Sequence, residues 1–258
     1  AYGFSSYMFI CLSAGHNTKA YAMAYMAPIV GSVVYAFRND ALKGSVLMSL
    51  FLTLQLMANH IQITYYTFLI ILVFGIFELV SLLRDHNVKA FLKPVLMLFA
   101  GVVVAIGVNF GNIYTTWEYS KYSTRGKSDL KKADTKDQEG LNKAYITQWS
   151  YGIDETMTLL IPDFRGGASV PFSKDSQTVR ALRQNNMSDN VAQFQSYWGD
   201  QPGTSGPVYV GAIVIFLFVL GLIIVPSREK WWIIAAIIVS VVLSWGKNLM
   251  FITNLFID

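Results

Sequence analysis

Long apolar runs recur along this chain between short polar connections, and they restrict its fold more than any other feature. About 20 apolar residues carry a helix across the hydrocarbon core of a bilayer. Backbone at that depth must satisfy its own hydrogen bonds, so runs of this length span as helices. Seven candidate spans are read: 1–14, as the end of a longer span, then roughly 18–37, 44–60, 62–83, 93–112, 207–225 and 231–246. Residues 247–258 read as an interfacial or re-entrant piece, or as the start of an eighth span. The predicted fold class is an all-α integral membrane helical bundle of about seven transmembrane helices with one large extracytoplasmic loop or cap. By region, 1–112 holds about five spans, 113–206 is the loop, and 207–258 holds two spans plus the last segment. Ala1 lies in apolar sequence and Asp258 follows an apolar run, so the chain is expected to be an internal piece of a larger membrane protein.

Charge supports this reading. Only 14% of the residues are charged, against about 25% in soluble domains. Of the 36 charged side chains, 22 lie in 113–206, 11 of each sign. That loop is neutral, so the net charge of +4 does not indicate nucleic acid. The surplus positive charge sits in short turns. Arg38, Lys43, Arg84, Lys89, Lys93, Arg228 and Lys230 fall in one alternating set of connections, and only Lys19 and Lys247 in the other. Basic residues favour the cytoplasmic side, so the first set is assigned there and loop 113–206 outside. The single cysteine, Cys11, excludes an internal disulfide and reads as a packing residue.

The loop is not plainly disordered. Tyr114, Trp117, Tyr145, Trp149, Tyr151, Tyr197 and Trp198 are interleaved with its charges. Ser176 and Ser188 are each placed to cap a short helix, over Thr178–Gln184 and Asn190–Tyr197. Gly126–Gly140 reads as solvated, and Asn186-Met187-Ser188 matches a glycosylation sequon. Asp154-Glu155 is a carboxylate pair with the chemistry to bind a cation or act as a base, although an exposed acidic pair is by default solvated.

Polar residues inside the apolar runs gather on the outer side: His16, Asn17 and Lys19, then Gln55, Asn59, His60 and Gln62, then Asn109 and Asn112, then Lys247 and Asn248. An unpaired amide or imidazole near lipid costs a few kcal/mol, so these groups are expected to face protein or a wet cavity. Gln55 and Asn59 are four apart and share a helix face. The helix before the turn at 58–62 is short for the membrane, which sets that turn below the outer surface. Together these predict an extracytoplasmic substrate cavity roofed by the loop, with Asp154, Glu155, Tyr197 and Trp198 as loop candidates. Each residue taken alone is better explained as a helix cap or an interhelical hydrogen bond, and only the cluster on one side favours the cavity. Glu78, near the cytoplasmic end of its span, reads as an interfacial anchor. No nucleotide-binding or hydrolase motif is present, and two outer histidines do not make a metal site. The sequence therefore supports no divalent metal.

Five runs carry a family resemblance: Gly15-His16-Asn17-Thr18-Lys19, Ala58-Asn59-His60-Ile61-Gln62-Ile63-Thr64-Tyr65-Tyr66, Tyr197-Trp198-Gly199-Asp200-Gln201-Pro202, Ser205-Gly206-Pro207-Val208-Tyr209-Val210-Gly211 and Gly246-Lys247-Asn248. In this order and around one long loop they resemble the YfhO family of bacterial multi-span membrane proteins. The resemblance implies a GT-C glycosyltransferase in the bacterial cytoplasmic membrane. Such a protein moves a sugar from a polyprenyl-phosphate donor to a cell-envelope glycopolymer acceptor. It also places the catalytic acid upstream of this chain, so no residue here is assigned as catalytic. His16, Lys19, His60 and Lys247 would neutralise the leaving phosphate. The alternatives are a transporter or flippase of lipid-linked envelope precursors, or a non-catalytic envelope scaffold. A transporter is expected to break its spans and bury charge at mid-membrane, whereas here the spans are mostly unbroken.

Overall fold

The computed structural model describes residues 2–123, 143–186, 194–206 and 208–257. The chain forms two compact units. One is His16–Asn142 with Arg228–Ile238; the other is Ala1–Gly15, Lys143–Ser227 and Val239–Asp258.

The first unit is built of long apolar helices. α2 (Asn17–Ala24) and α3 (Met26–Arg38) run on through Tyr25 as one 22-residue apolar stretch. α4 (Ala41–Met57) starts at Asp40, whose carboxylate accepts from the backbone N–H groups of Leu42 (2.9 Å) and Lys43 (3.0 Å). It ends where Asn59 adopts a left-handed φ of 52°, a conformation that asparagine tolerates better than most residues. α5 (Ile61–Arg84), α6 (Lys89–Val108) and α7 (Phe110–Ser120) follow. Asn17–Arg38, Ile61–Arg84 and Lys89–Val108 are long and apolar enough to cross a membrane. A fourth span results if α11 (Glu229–Ser244) and the segment after it, bent by 107°, count as one. α4, with 17 residues, is shorter. The span expected over 93–112 breaks at Asn109, and α7 continues into the region assigned to the loop.

Close packing explains the small residues. A side chain at Gly44 would sit 2.6 Å from Ala36, so α3 and α4 touch almost backbone to backbone. Ile29, Val33, Met48, Leu52, Phe74 and Ala105 form the core of this unit. One end of the core is closed by ions. Arg38 donates to both Glu78 carboxylate oxygens (2.8 and 2.7 Å) and, through Nε, to Glu229 (2.8 Å). Arg228 reaches Ser81 (2.8 Å) and, at 3.5 Å, Glu78. Glu78 is only 2% exposed. It is therefore not an interfacial anchor but the buried half of an ion pair, under the edge-on contacts of Phe74 with Phe37 and Trp232.

The second unit joins short helices to a two-stranded sheet. It contains α1 (Ser6–Ser13), α8 (Lys143–Ile146), a 3₁₀ segment at Asp154–Leu159, β1 (Gly166–Pro171), α9 (Gln177–Gln184), β2 (Gln195–Tyr197) and α10 (Ala212–Ile224). It closes with the end of α11, a 3₁₀ turn at Gly246–Leu249 and α12 (Met250–Ile257). Ser176 caps α9 as expected, accepting from Val179 N–H at 3.2 Å. The described residues are mostly helical, as expected, and this one two-stranded sheet is the exception to the all-α reading. It also corrects the helix expected over Asn190–Tyr197, because Gln195–Tyr197 pairs antiparallel with β1 (Gly166 opposite Tyr197). In β2, Gln195 is exposed and Ser196 and Tyr197 are half-buried, and the Ser188 cap signal does not reveal this pairing. The Ser188 cap, all of Gly126–Gly140 with its surroundings, and Met187 and Ser188 of the sequon lie outside the described residues.

Cys11 is buried, which makes the side of the membrane directly testable. A cysteine placed at the exposed Lys174 is the one reactive thiol of the protein. It is expected to react with a membrane-impermeant maleimide in intact cells whose outer membrane, if present, is permeabilised. Labelling only after lysis would place this segment in the cytoplasm.

Candidate functional site

Two polar clusters stand out, one in each unit. In the helical unit, Gln55 is completely buried. Its amide donates to Ala22 O (2.9 Å) and Thr67 Oγ1 (3.1 Å), which ties α4 to α2 and α5. Its own oxygen has no partner, and neither do the buried atoms His60 Nδ1 and Thr64 Oγ1. His60 precedes the first residue of α5. Positions 60, 64 and 67 follow the i, i+4, i+7 spacing of one helix face, so these groups form a polar seam down α5 from its N-terminal end. Buried polar atoms are nearly always hydrogen-bonded, so unpartnered acceptors along one face mark a place suited to a polar ligand or water. Desolvation, followed by the charges of Lys19 and His16, lowers the pKa of His60. That shift favours the uncharged, hydrogen-bonding form of the imidazole over its cation.

The other residues expected in this cavity have plainer surroundings. Asn59 accepts from Thr116 at 3.3 Å. Gln62 donates to Tyr66, one turn along, on the exposed surface. His16 and Asn17 are exposed at the start of α2. Asn109 is absorbed in packing, donating to Thr53 O (3.1 Å) and Ala105 O (3.0 Å).

In the second unit the centre is Glu155, 3% exposed. Its carboxylate reaches back to accept from Gly152 N–H (2.9 Å), as acidic residues do in the first turn of a helix. It also accepts from Tyr197 O–H (2.5 Å) and, at 3.4 Å, from Asp200 N–H. A side chain at Gly199 would collide with both Tyr197 and this carboxylate. Burial pushes Tyr151 up to about 12, helped by the Glu155 charge. Burial and the bond to Glu155 likewise raise Tyr197, so both phenols stay protonated at neutral pH. Asp154, half-exposed, pairs with Arg165. The two acids are therefore not a solvated pair: one is buried and one is bridged. Trp198 stays exposed, with the Arg165 guanidinium 5.7 Å from its ring centre. A cavity of about 20 Å³, the size of one water, lies between Glu155, Arg165, Tyr151 and the unpartnered Thr158 hydroxyl.

The Gly246-Lys247-Asn248 turn packs on this centre. Asn248 donates to Tyr151 O (2.9 Å) and Asp200 Oδ2 (3.2 Å), and Lys247 donates through Nζ to Asp200 O (3.0 Å) and through its backbone to Ser150 Oγ (2.8 Å). Trp245 Nε1 donates to Thr156 (2.9 Å). The lysine is thus engaged by the loop segment. The two runs 197–202 and 246–248, far apart in sequence, form one hydrogen-bonded cluster. The sequence reading names Thr64 only inside a family run and Tyr151 only among the loop aromatics, and names Thr67, Thr158 and Arg165 in no site. Of these, only Thr64 and Thr67 carry a usable signal, their spacing from His60. Among the described residues no group of three or more His, Cys, Asp or Glu is placed to hold a metal ion.

No protein-family model matches the chain, and no curated protein or solved structure matches it.

Proposed function

We propose that this chain is part of a GT-C-type glycosyltransferase of a bacterial cytoplasmic membrane, and that the seam running from His60 along α5 contacts its polyprenyl-phosphate sugar donor. In this reading the bundle makes about seven spans, and the segment holding Glu155 is an extracytoplasmic cap. The observation that supports it is the set of buried, unpartnered atoms Gln55 Oε1, His60 Nδ1 and Thr64 Oγ1 beside Lys19. Sugar hydroxyls donate to such acceptors, and a lysine ammonium suits a phosphate. In the transfer an acceptor oxygen bonds to the anomeric carbon as the carbon–oxygen bond to phosphate breaks. The electron pair leaves on polyprenyl phosphate, whose charge Lys19 would offset. By the family resemblance, the base that takes the acceptor's proton lies upstream of this chain.

The test uses the natural protein in proteoliposomes with a radiolabelled polyprenyl-phosphate sugar. His60→Leu is expected to insert and fold but to lose sugar transfer. Lys19→Gln is expected to raise the donor KM about tenfold or more, the worth of one charge-assisted hydrogen bond. Full transfer by the His60→Leu protein would end the donor-site reading.

A further inference from the structure

The helical unit also holds a cavity that the transferase reading does not use. It has a volume of about 290 Å³ and lies between the end of α5 and the start of α11, lined by Phe77, Val80, Ser81, Arg84, Arg228 and Trp231, with Asp85 at its edge. That volume is close to the lower end of ligand sites, about 300–1,000 Å³. Its composition is divided. Phe77, Val80 and the exposed Trp231 ring make an apolar wall, while two guanidiniums, both exposed, stand at the helix ends. Arg228 is steadied by Ser81 at 2.8 Å and keeps its other nitrogens toward solvent and Glu78. Glu78 and Glu229 share Arg38 and draw on Arg228, 3.5 Å from Glu78, so Arg84 and Lys230 carry the surplus positive charge here. Asp85 is the one acid lining the cavity, against Arg84, Arg228 and the adjacent Lys230, which lies over the Trp231 ring at 5.6 Å. The same chain ends carry His86 and Lys89, so the local field is positive.

We infer that this cavity binds the phosphate of an anionic membrane phospholipid between Arg84 and Arg228, with the upper acyl chains on Phe77, Val80 and Trp231. The chemistry fits at each level. Guanidinium forks recognise phosphate oxygens bidentately. Tryptophan settles at the headgroup depth of a bilayer. Basic pockets between helix ends on the side richer in Lys and Arg bind anionic headgroups. The assignment to the cytoplasmic leaflet rests on the basic asymmetry of the connections. The binding itself does not depend on any transferase activity, so the two proposals fail separately.

The experiment is a lipid titration of the delipidated protein in detergent, read by native mass spectrometry. The probes are phosphatidylglycerol, phosphatidylcholine of the same chains, and glycerol 3-phosphate. One phosphatidylglycerol is expected to bind saturably and about tenfold or more tighter than phosphatidylcholine. Arg84→Gln, which leaves the buried ion pair intact, is expected to weaken phosphatidylglycerol about fivefold, as is Arg228→Gln. Arg84→Lys should recover most of the loss, and Arg180→Gln, exposed in the other unit, should change nothing. Equal affinity for the two lipids in the unaltered protein would overturn the proposal, as would unchanged binding in Arg84→Gln. Glycerol 3-phosphate competing at the same concentrations as the lipid would show a free-phosphate site instead.

Discussion

Replacing Arg38 by Leu is expected to destabilise the helical unit by about 3–5 kcal/mol, the range found when one partner of a buried ion pair is removed. The reason is what Arg38 leaves behind. Glu78 takes two short bonds from that one guanidinium and is itself 2% exposed, so without Arg38 its charge is stranded in the protein interior. Arg228 cannot take over, because it reaches Glu78 only at 3.5 Å and is half-exposed. Exposed pairs of that kind contribute about 0–1 kcal/mol, and Arg228→Gln should cost correspondingly little. Glu229 loses a bond too, but it keeps Trp232 Nε1 at 2.6 Å and is a third exposed. Charge removal on both sides should therefore rescue the protein. Arg38→Leu combined with Glu78→Leu is expected to recover most of the loss, since apolar replacements of a buried pair are often neutral or better. Unfolding in mixed micelles, followed by tryptophan fluorescence, measures all four proteins. An Arg38→Leu single variant as stable as the double variant would show that Glu78 is solvated after all.

This ion pair also shows where the sequence stops being readable. The apolar helices are visible as runs because each residue of a span meets the same solvent, so the signal adds along the chain. α2 with α3, and α5, fall where hydropathy put them, α6 starts and ends about four residues early, and Ser176 caps α9 because a cap bonds within its own turn. Arg38, Glu78 and Glu229 have no such local signature. Their partners are 40 and 191 residues away, and each alone looks like a charged helix end. β2 fails for a related reason. Ser188 and the polar residues after it satisfy the pattern of a capped helix, but Tyr197 is held extended by its pairing with β1 and by Glu155. Tertiary context overrides local propensity there. In the candidate donor site Gln55 and His60 were legible as polar groups in apolar sequence. Thr64 and Thr67 carry only their spacing from His60, a faint signal because threonine commonly bonds its own helix, as Thr67 does to Ile63 O at 2.8 Å.

Glu155 poses the sharper question, because a buried carboxylate beside a small cavity resembles a catalytic group as much as a structural one. The geometry favours structure. Its oxygens accept from Gly152, Tyr197 and Asp200, which joins the 3₁₀ segment, β2 and the turn after it. Asp200 in turn receives Asn248 and Lys247. Glu155→Leu therefore leaves three donors without an acceptor. A stranded buried group costs about 1–3 kcal/mol. Two of these bonds are short and one is long, so the expected loss is about 3–5 kcal/mol in this unit. Tyr197→Phe removes a single bond and should cost about 1–2 kcal/mol. Glu155→Gln falls between them, because one accepting carboxylate oxygen becomes a donating amide NH2 that faces donors. Limited trypsin digestion reads the effect locally, since Arg165, Lys174, Arg180 and Arg183 all lie in the affected segment. When reclosing outpaces cleavage, the rate follows the population of the opened form. Glu155→Leu is then expected to be cut at least about a hundredfold faster at these sites, and Tyr197→Phe about five- to thirtyfold faster. If Glu155 acted instead as a base, the Glu155→Gln protein would lose activity while its cleavage stayed at the unaltered rate. That pattern would move Glu155 from the scaffold of the segment into its chemistry.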